Sequence, residues 1–139
     1  MKKIILSLVL VLSLVSCSLD DGEESKVTYD KMPIVSVEAP DTLMFGKQEN
    51  FKISFLKKTD CHQFYDIAYS FSENKHYITA IAFKRGEQCE VLEGETQEES
   101  FKISIQNREA YSFRFWSGVN EEGEDTFIEK EIPVVSMQQ

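Results

Sequence analysis

Few side chains in this 139-residue sequence could carry chemistry, and they are scattered. They are two histidines, His62 and His76, three cysteines, Cys17, Cys61 and Cys89, and the acidic run Asn120-Glu121-Glu122-Gly123-Glu124-Asp125. Nucleophilic hydrolysis needs a nucleophile, a base and an orienting group held together. His62 directly follows a cysteine and His76 lies beside a turn. No Gly-x-Ser-x-Gly elbow, His-Glu-x-x-His pair, phosphate-cradling glycine loop or dinucleotide glycine pattern occurs. Both histidines therefore read as structural or surface residues. The many acids leave room for a glycosidase-type carboxylate pair, but a small β domain rarely offers a deep cleft. The expectation is a protein that is not an enzyme and uses no cofactor.

Binding chemistry is better represented. The acidic run supplies hard oxygen ligands of the kind calcium takes. Its spacing does not match an EF-hand loop, so Glu121, Glu122, Glu124 and Asp125 are weak metal candidates and no metal is expected. In the stretch from Tyr111 to Trp116, an alternation that turns Tyr111, Phe113 and Phe115 inward turns Arg114 and Trp116 outward. An arginine beside an exposed indole could stack a sugar or a partner side chain. The alternative is that Trp116 caps the core at the strand end.

These residues need elements to hold them. From Pro33 onward, apolar and polar residues alternate with the period of half-buried strands. Ile34 to Glu38 opens the pattern. The rows Phe51/Ile53/Phe55, Tyr65/Ile67/Tyr69/Phe71, Tyr77/Thr79/Ile81/Phe83, Phe101/Ile103/Ile105 and Tyr111/Phe113/Phe115 continue it, and Ile128, Ile132 and Val134 close it. About seven short strands with no helical stretch imply two packed antiparallel sheets, an all-β Greek-key sandwich. The rows of one hairpin suggest a register. A three-residue turn at Glu73-Asn74-Lys75 pairs Phe71 with Tyr77, Tyr69 with Thr79, Ile67 with Ile81 and Tyr65 with Phe83, all on one face. A two-residue turn would set the aromatic row against Ile78 and Ala80 instead.

The amino terminus concerns location. Met1-Lys2-Lys3, the apolar run Ile4 to Val15 and then Ser16 have the layout of a secretory signal peptide, too short to span a bilayer. Leu14-Val15-Ser16-Cys17 resembles the lipobox of bacterial lipoproteins. That resemblance implies cleavage before Cys17 and lipidation of its thiol, with anchoring by more than one acyl chain. The following Ser18-Leu19-Asp20-Asp21-Gly22-Glu23-Glu24-Ser25 reads as a solvated acidic tether. It is similar to the export signal of Bacteroidetes-type surface lipoproteins, which implies an outer-membrane protein exposed at the cell surface. The expected organisation is a signal peptide at 1–16, anchor and tether at 17–32, a β domain at 33–135 and a polar tail at 136–139.

Without residues 1–16 the chain has thirteen basic and twenty-four acidic side chains, a net charge of −11. Nucleic acid would repel such a chain. With Cys17 assigned to lipid, Cys61 and Cys89 remain as an even pair in an oxidising compartment, and a disulfide between them is expected. The expected register also places Cys61 near Cys89, at the open end of the hairpin.

Asn107 to Val134 resembles the last two strands of immunoglobulin-like domains. Tyr111 stands where those domains have a corner tyrosine whose hydroxyl bonds back to the chain upstream. Phe113 stands where antibody domains have a cysteine, which excludes the antibody type of core bridge. The resemblance implies an immunoglobulin-like sandwich and carries no function. Together these readings describe a lipid-anchored, non-catalytic binding or accessory module. It would meet the membrane through its anchor and have a protein or glycan partner. The alternatives are a carbohydrate-binding component of a glycan-uptake system and a small secreted hydrolase or inhibitor.

Overall fold

The structure, a computed structural model, describes residues 26–137. The lipidation candidate Cys17 and the acidic tether up to Ser25 lie outside the described residues. Ten strands follow in order: β1 (Val27–Met32), β2 (Ile34–Glu38), β3 (Leu43–Met44), β4 (Gln48–Leu56), β5 (His62–Ser72), β6 (Lys75–Arg85), β7 (Thr96–Ser104), β8 (Tyr111–Val119), β9 (Asp125–Ile132) and β10 (Val134–Val135). The chain is all-β, as the alternation predicts. Three features differ from the expectation of about seven antiparallel strands. There are more strands, two pairs (β6 with β8, β3 with β10) run parallel, and a strand lies within the stretch 17–32 read as tether. That strand, β1, ends at the fully buried Met32.

One sheet has five strands, with β6 flanked by β5 on one side and by β1 and then β8 on the other, and β9 beyond β8. The opposing sheet has three, in the order β2-β4-β7. β1 and β2 are one run of chain that changes sheet at Pro33. Proline has no N–H to give a ladder, and its carbonyl instead accepts from the N–H of Leu56. The core lies between the sheets: Phe51, Ile53 and Phe55 from β4, Ile78, Ala80 and Ala82 from β6, and Phe113 and Phe115 from β8. Tyr111 forms the expected corner, its hydroxyl accepting the N–H groups of Gln106 at 3.1 Å and Asn107 at 3.2 Å.

The β5–β6 hairpin corrects the expected register. Its turn has two residues, Glu73 and Asn74, both at positive φ (51° and 59°). That is the mirror-image turn whose twist suits a hairpin. Phe71 therefore pairs with His76, Tyr69 with Ile78 and Ile67 with Ala80, and a bulge between Phe64 and Asp66 shifts the pairing again. The row buried by β6 is His76, Ile78, Ala80 and Ala82, not Tyr77 to Phe83. The Cys61–Cys89 disulfide is nevertheless formed, with Cα atoms 5.6 Å apart. The chain turns back after Arg85 at Gly86, whose φ is +88°, which brings Cys89 to the base of the hairpin.

Candidate functional site

The two sheets are unequal in width, and the site follows from this. β5 is the outer strand of the five-stranded sheet and β7 the outer strand of the three-stranded one. The inward row of β5 therefore overhangs its partner sheet. Tyr69 and Phe71 are 52% and 55% exposed although they share a face with the buried Ile78 and His76. Beneath them runs a groove of about 460 Å³ lined by Asp66, Ile67 and Tyr69 on one side and Phe101, Lys102, Ile103 and Ser104 on the other. Gln106 joins it to a second hollow of about 540 Å³ that includes Phe45, Phe71, Asn107 and Arg108. Arg108 lies over the Phe45 ring at 4.2 Å, which places a cation on an aromatic face.

Buried neighbours hold the groove's aromatic wall in position. The Tyr69 hydroxyl donates to Nδ1 of His76. His76 is itself packed against the rings of Tyr111 at 4.4 Å, Phe71 at 4.7 Å and Phe113 at 5.3 Å. Burial pushes the His76 pKa below its ordinary value and, with Tyr111 nearby, raises that of Tyr69. A neutral imidazole accepting a phenol proton is what both shifts favour.

Arg114 and Trp116 do face outward from β8, but neither is open. Trp116 is 7% exposed. Its Nε1–H donates to Oδ1 of Asp125 at 2.8 Å, and Lys31 lies 5.3 Å from the ring centroid. Arg114 is held by Glu129 at 2.8 Å and lies over the Phe127 ring. The indole is covered because β1, unforeseen from the sequence, brings Lys31 across it.

The acidic run folds on itself. Oδ1 of Asn120 accepts the N–H groups of Glu122 and Glu124, Glu124 accepts from the Asn120 amide, and Asp125 is taken by Trp116. Among the described residues, the group of potential metal ligands that converges is Asp60, Cys61 and Cys89, and both sulfurs are in the disulfide.

His62 forms the arrangement nearest to hydrolytic machinery. Buried at the start of β5, it donates from Nε2 to Oδ2 of Asp30 at 2.9 Å, while Nδ1 lies 2.7 Å from the Thr59 hydroxyl. Carboxylate, imidazole and hydroxyl in a row match the triad order. However, Oγ1 of Thr59 also accepts the N–H of Cys61 within its own turn, and Thr59 lines neither half of the groove. The hydrogen bond from His62 lowers the Asp30 pKa. The contact ties β1 to the base of the hairpin.

Tyr69, Phe71, Phe101 and Lys102 were legible as strand residues but not as a site. The two rings belong to an apolar row that reads as core unless the opposite sheet is known to stop short. The usable signal was Glu73-Asn74, since Asn accepts positive φ and a two-residue turn sets the register. No protein family, curated protein or solved structure matches the chain.

Proposed function

We propose that this chain is a lipid-anchored, outer-membrane-associated module that binds a partner in the groove between β5 and β7 and does no chemistry on it. One observation carries the reading. Two large aromatic side chains on the core-facing side of a sheet are left half exposed, one of them fixed by a buried histidine. A sandwich that bound nothing would gain by covering them, at about 25 cal/mol per Å² of apolar surface removed from water. Rings beside Asp66, Gln106 and Asn107 also suit a sugar, which favours the carbohydrate-binding alternative as a second reading.

The Leu14-Val15-Ser16-Cys17 motif supports the anchor, and the acidic residues after it support a surface position. An immunoglobulin-like ancestry is supported by the Tyr111 corner and by the order β2-β4-β7. The parallel β6–β8 pair departs from that pattern. Labelling of cells with a clickable fatty acid should mark the protein and should fail on Cys17→Ser. Protease shaving of intact cells should remove the domain, whereas full protection would place it inside. Partner capture on whole cells and glycan-array binding should both be read against Tyr69→Ala with Phe71→Ala. A partner or glycan held equally by that double variant would show that the groove is not the site.

A further inference from the structure

The wall of the groove formed by β7 is a run of four consecutive residues, Phe101 to Ser104. Neighbouring residues of a strand point to opposite faces. A groove that meets all four therefore meets the strand edge-on, at its backbone. The polarity of that edge follows from the ladder to β4. Ile105 gives its N–H to Lys47 and takes the N–H of Gly46 on its carbonyl, and nine residues away from Ser104's end of the pairing, Glu95 takes the N–H of Lys57. The register between is unbroken, so odd-numbered residues face β4. Ser100, Lys102 and Ser104 direct N–H and C=O away from it, and Lys102 and Ser104 line the groove. Among the described residues β7 pairs with β4 alone.

The opposite edge is treated differently. On β5 the N–H of Ile67 is capped by the carboxylate of Asp66 at 2.7 Å. An unpaired edge beside uncovered apolar rings is a template for another strand.

We infer that β7 accepts, antiparallel, an extended segment of a different protein. The segment would carry alternating apolar residues to lie under Tyr69 and Phe71, and a lysine or arginine toward its C-terminal end. This rests on the binding-module reading above and names the occupant. Charge selects it. The far end of the same edge carries Glu99 and also Glu98, which shares Lys52 with Glu38, and Asp66 faces Lys102 across the groove, with Arg108 in the adjoining hollow. A second copy of this chain would bring its own net charge, −11 without residues 1–16. The acidic segment 18–25 would bring Asp20, Asp21, Glu23 and Glu24 and no alternating apolar row. A neutral-to-basic strand meets neither obstacle. Antiparallel addition extends the pattern of the β2-β4-β7 sheet and gives the more stable ladder. An occupant of about five to seven residues spans the open part of the edge.

The test uses the full-length protein purified from membranes in detergent. The probe is a library of capped heptapeptides with alternating Val, Ile or Phe and Thr positions and a C-terminal Lys, set against scrambled versions. The best peptide should slow amide exchange at Ser100, Lys102 and Ser104 while leaving Phe101 and Ile103, already bonded to β4, unchanged. Lys102→Pro removes one groove-facing donor without touching the ladder to β4. It should weaken binding roughly tenfold, the equivalent of one or two lost hydrogen bonds. Lys102→Ala keeps the donor and should bind within about threefold of the parent, about 0.65 kcal/mol. Equal unfolding midpoints for the two variants show that folding is not the cause.

Three outcomes overturn strand addition: no peptide bound above the scrambled set, protection mapping away from β7, or Lys102→Pro and Lys102→Ala behaving alike. Glycan binding sensitive to Tyr69→Ala but not to Lys102→Pro would overturn it while leaving the binding module standing. If neither peptides nor glycans bind, both readings fall.

Discussion

β5 and β6 are eleven residues long each, share a turn and present alternate side chains to the same side of one sheet. β6 offers Ile78, Ala80 and Ala82 to that side and all are buried. β5 offers Tyr69 and Phe71, far larger and more apolar in area, and both are half exposed. Burial here is decided by what lies opposite. β6 faces the Phe51/Ile53/Phe55 row of β4, while β5 faces the gap beyond β7. The small residues fill a closed core, and the large ones line an open margin.

Substitutions on the two sides should therefore differ in kind. Phe113→Ala, in the closed part, should cost about 3–5 kcal/mol in a urea titration, because the cavity it leaves cannot collapse between two sheets. A loss below about 1 kcal/mol would mean that the sandwich is much looser than its packing. Replacing Cys61 and Cys89 together by serine should cost about 3–4 kcal/mol by freeing a loop of 28-residue separation. The same pair of changes should raise hydrogen exchange in β5 more than in β8, because the bridge clips the base of the overhanging hairpin. Phe71→Ala should cost less than about 1 kcal/mol, since half of the ring is already in water. A cost equal to that of Phe113→Ala would erase the contrast between the two margins.

The smallest effect is the response to pH. His76 has a folded pKa below its ordinary 6.5. Its contribution to stability is fully present above that value and declines as pH falls, because the unfolded chain takes up a proton that the folded one resists. A urea midpoint followed from pH 7.5 to 5 should fall, and His76→Gln should flatten the slope. The Asp30 carboxyl, lowered from 3.8 by its bond to His62, acts in a separate and lower window. Its contribution is lost only as pH drops below that value.

Much of the closed region was readable in advance. The alternation of Phe51/Ile53/Phe55 and Tyr111/Phe113/Phe115 gave the correct inward rows, and the cysteine count gave the right bridge. The bridge held although the register offered in its support did not, because Gly86 rather than strand pairing returns the chain to Cys61. The open region was not readable. Asn74 was the one hint of a two-residue turn, weakened by glutamate rather than glycine beside it, and one residue of slip changes which row a strand buries. β1 was hidden as well. Its Val27-Thr28-Tyr29-Asp30 start follows the acids after only Ser25 and Lys26, and only long-range pairing with β6 makes it a strand. With it went the covering of Trp116 and the bond from Asp30 to His62. The width of the opposite sheet is a property of the whole topology, and no local pattern records it.

The pairing of β1 with β6 has a mechanical side. β1 is the first described strand, and it runs antiparallel to Arg85–Ala80 over its full length, from Val27 to Met32. Ladder hydrogen bonds lie across the strand direction. A tug entering at Val27 therefore loads them in shear, all together, instead of peeling them apart one after another. The Asp30–His62 contact acts as a side-tie on the same line, passing tension into the disulfide-closed hairpin that carries Tyr69. The route from Val27 to the groove is thus made of parts loaded together instead of one after another.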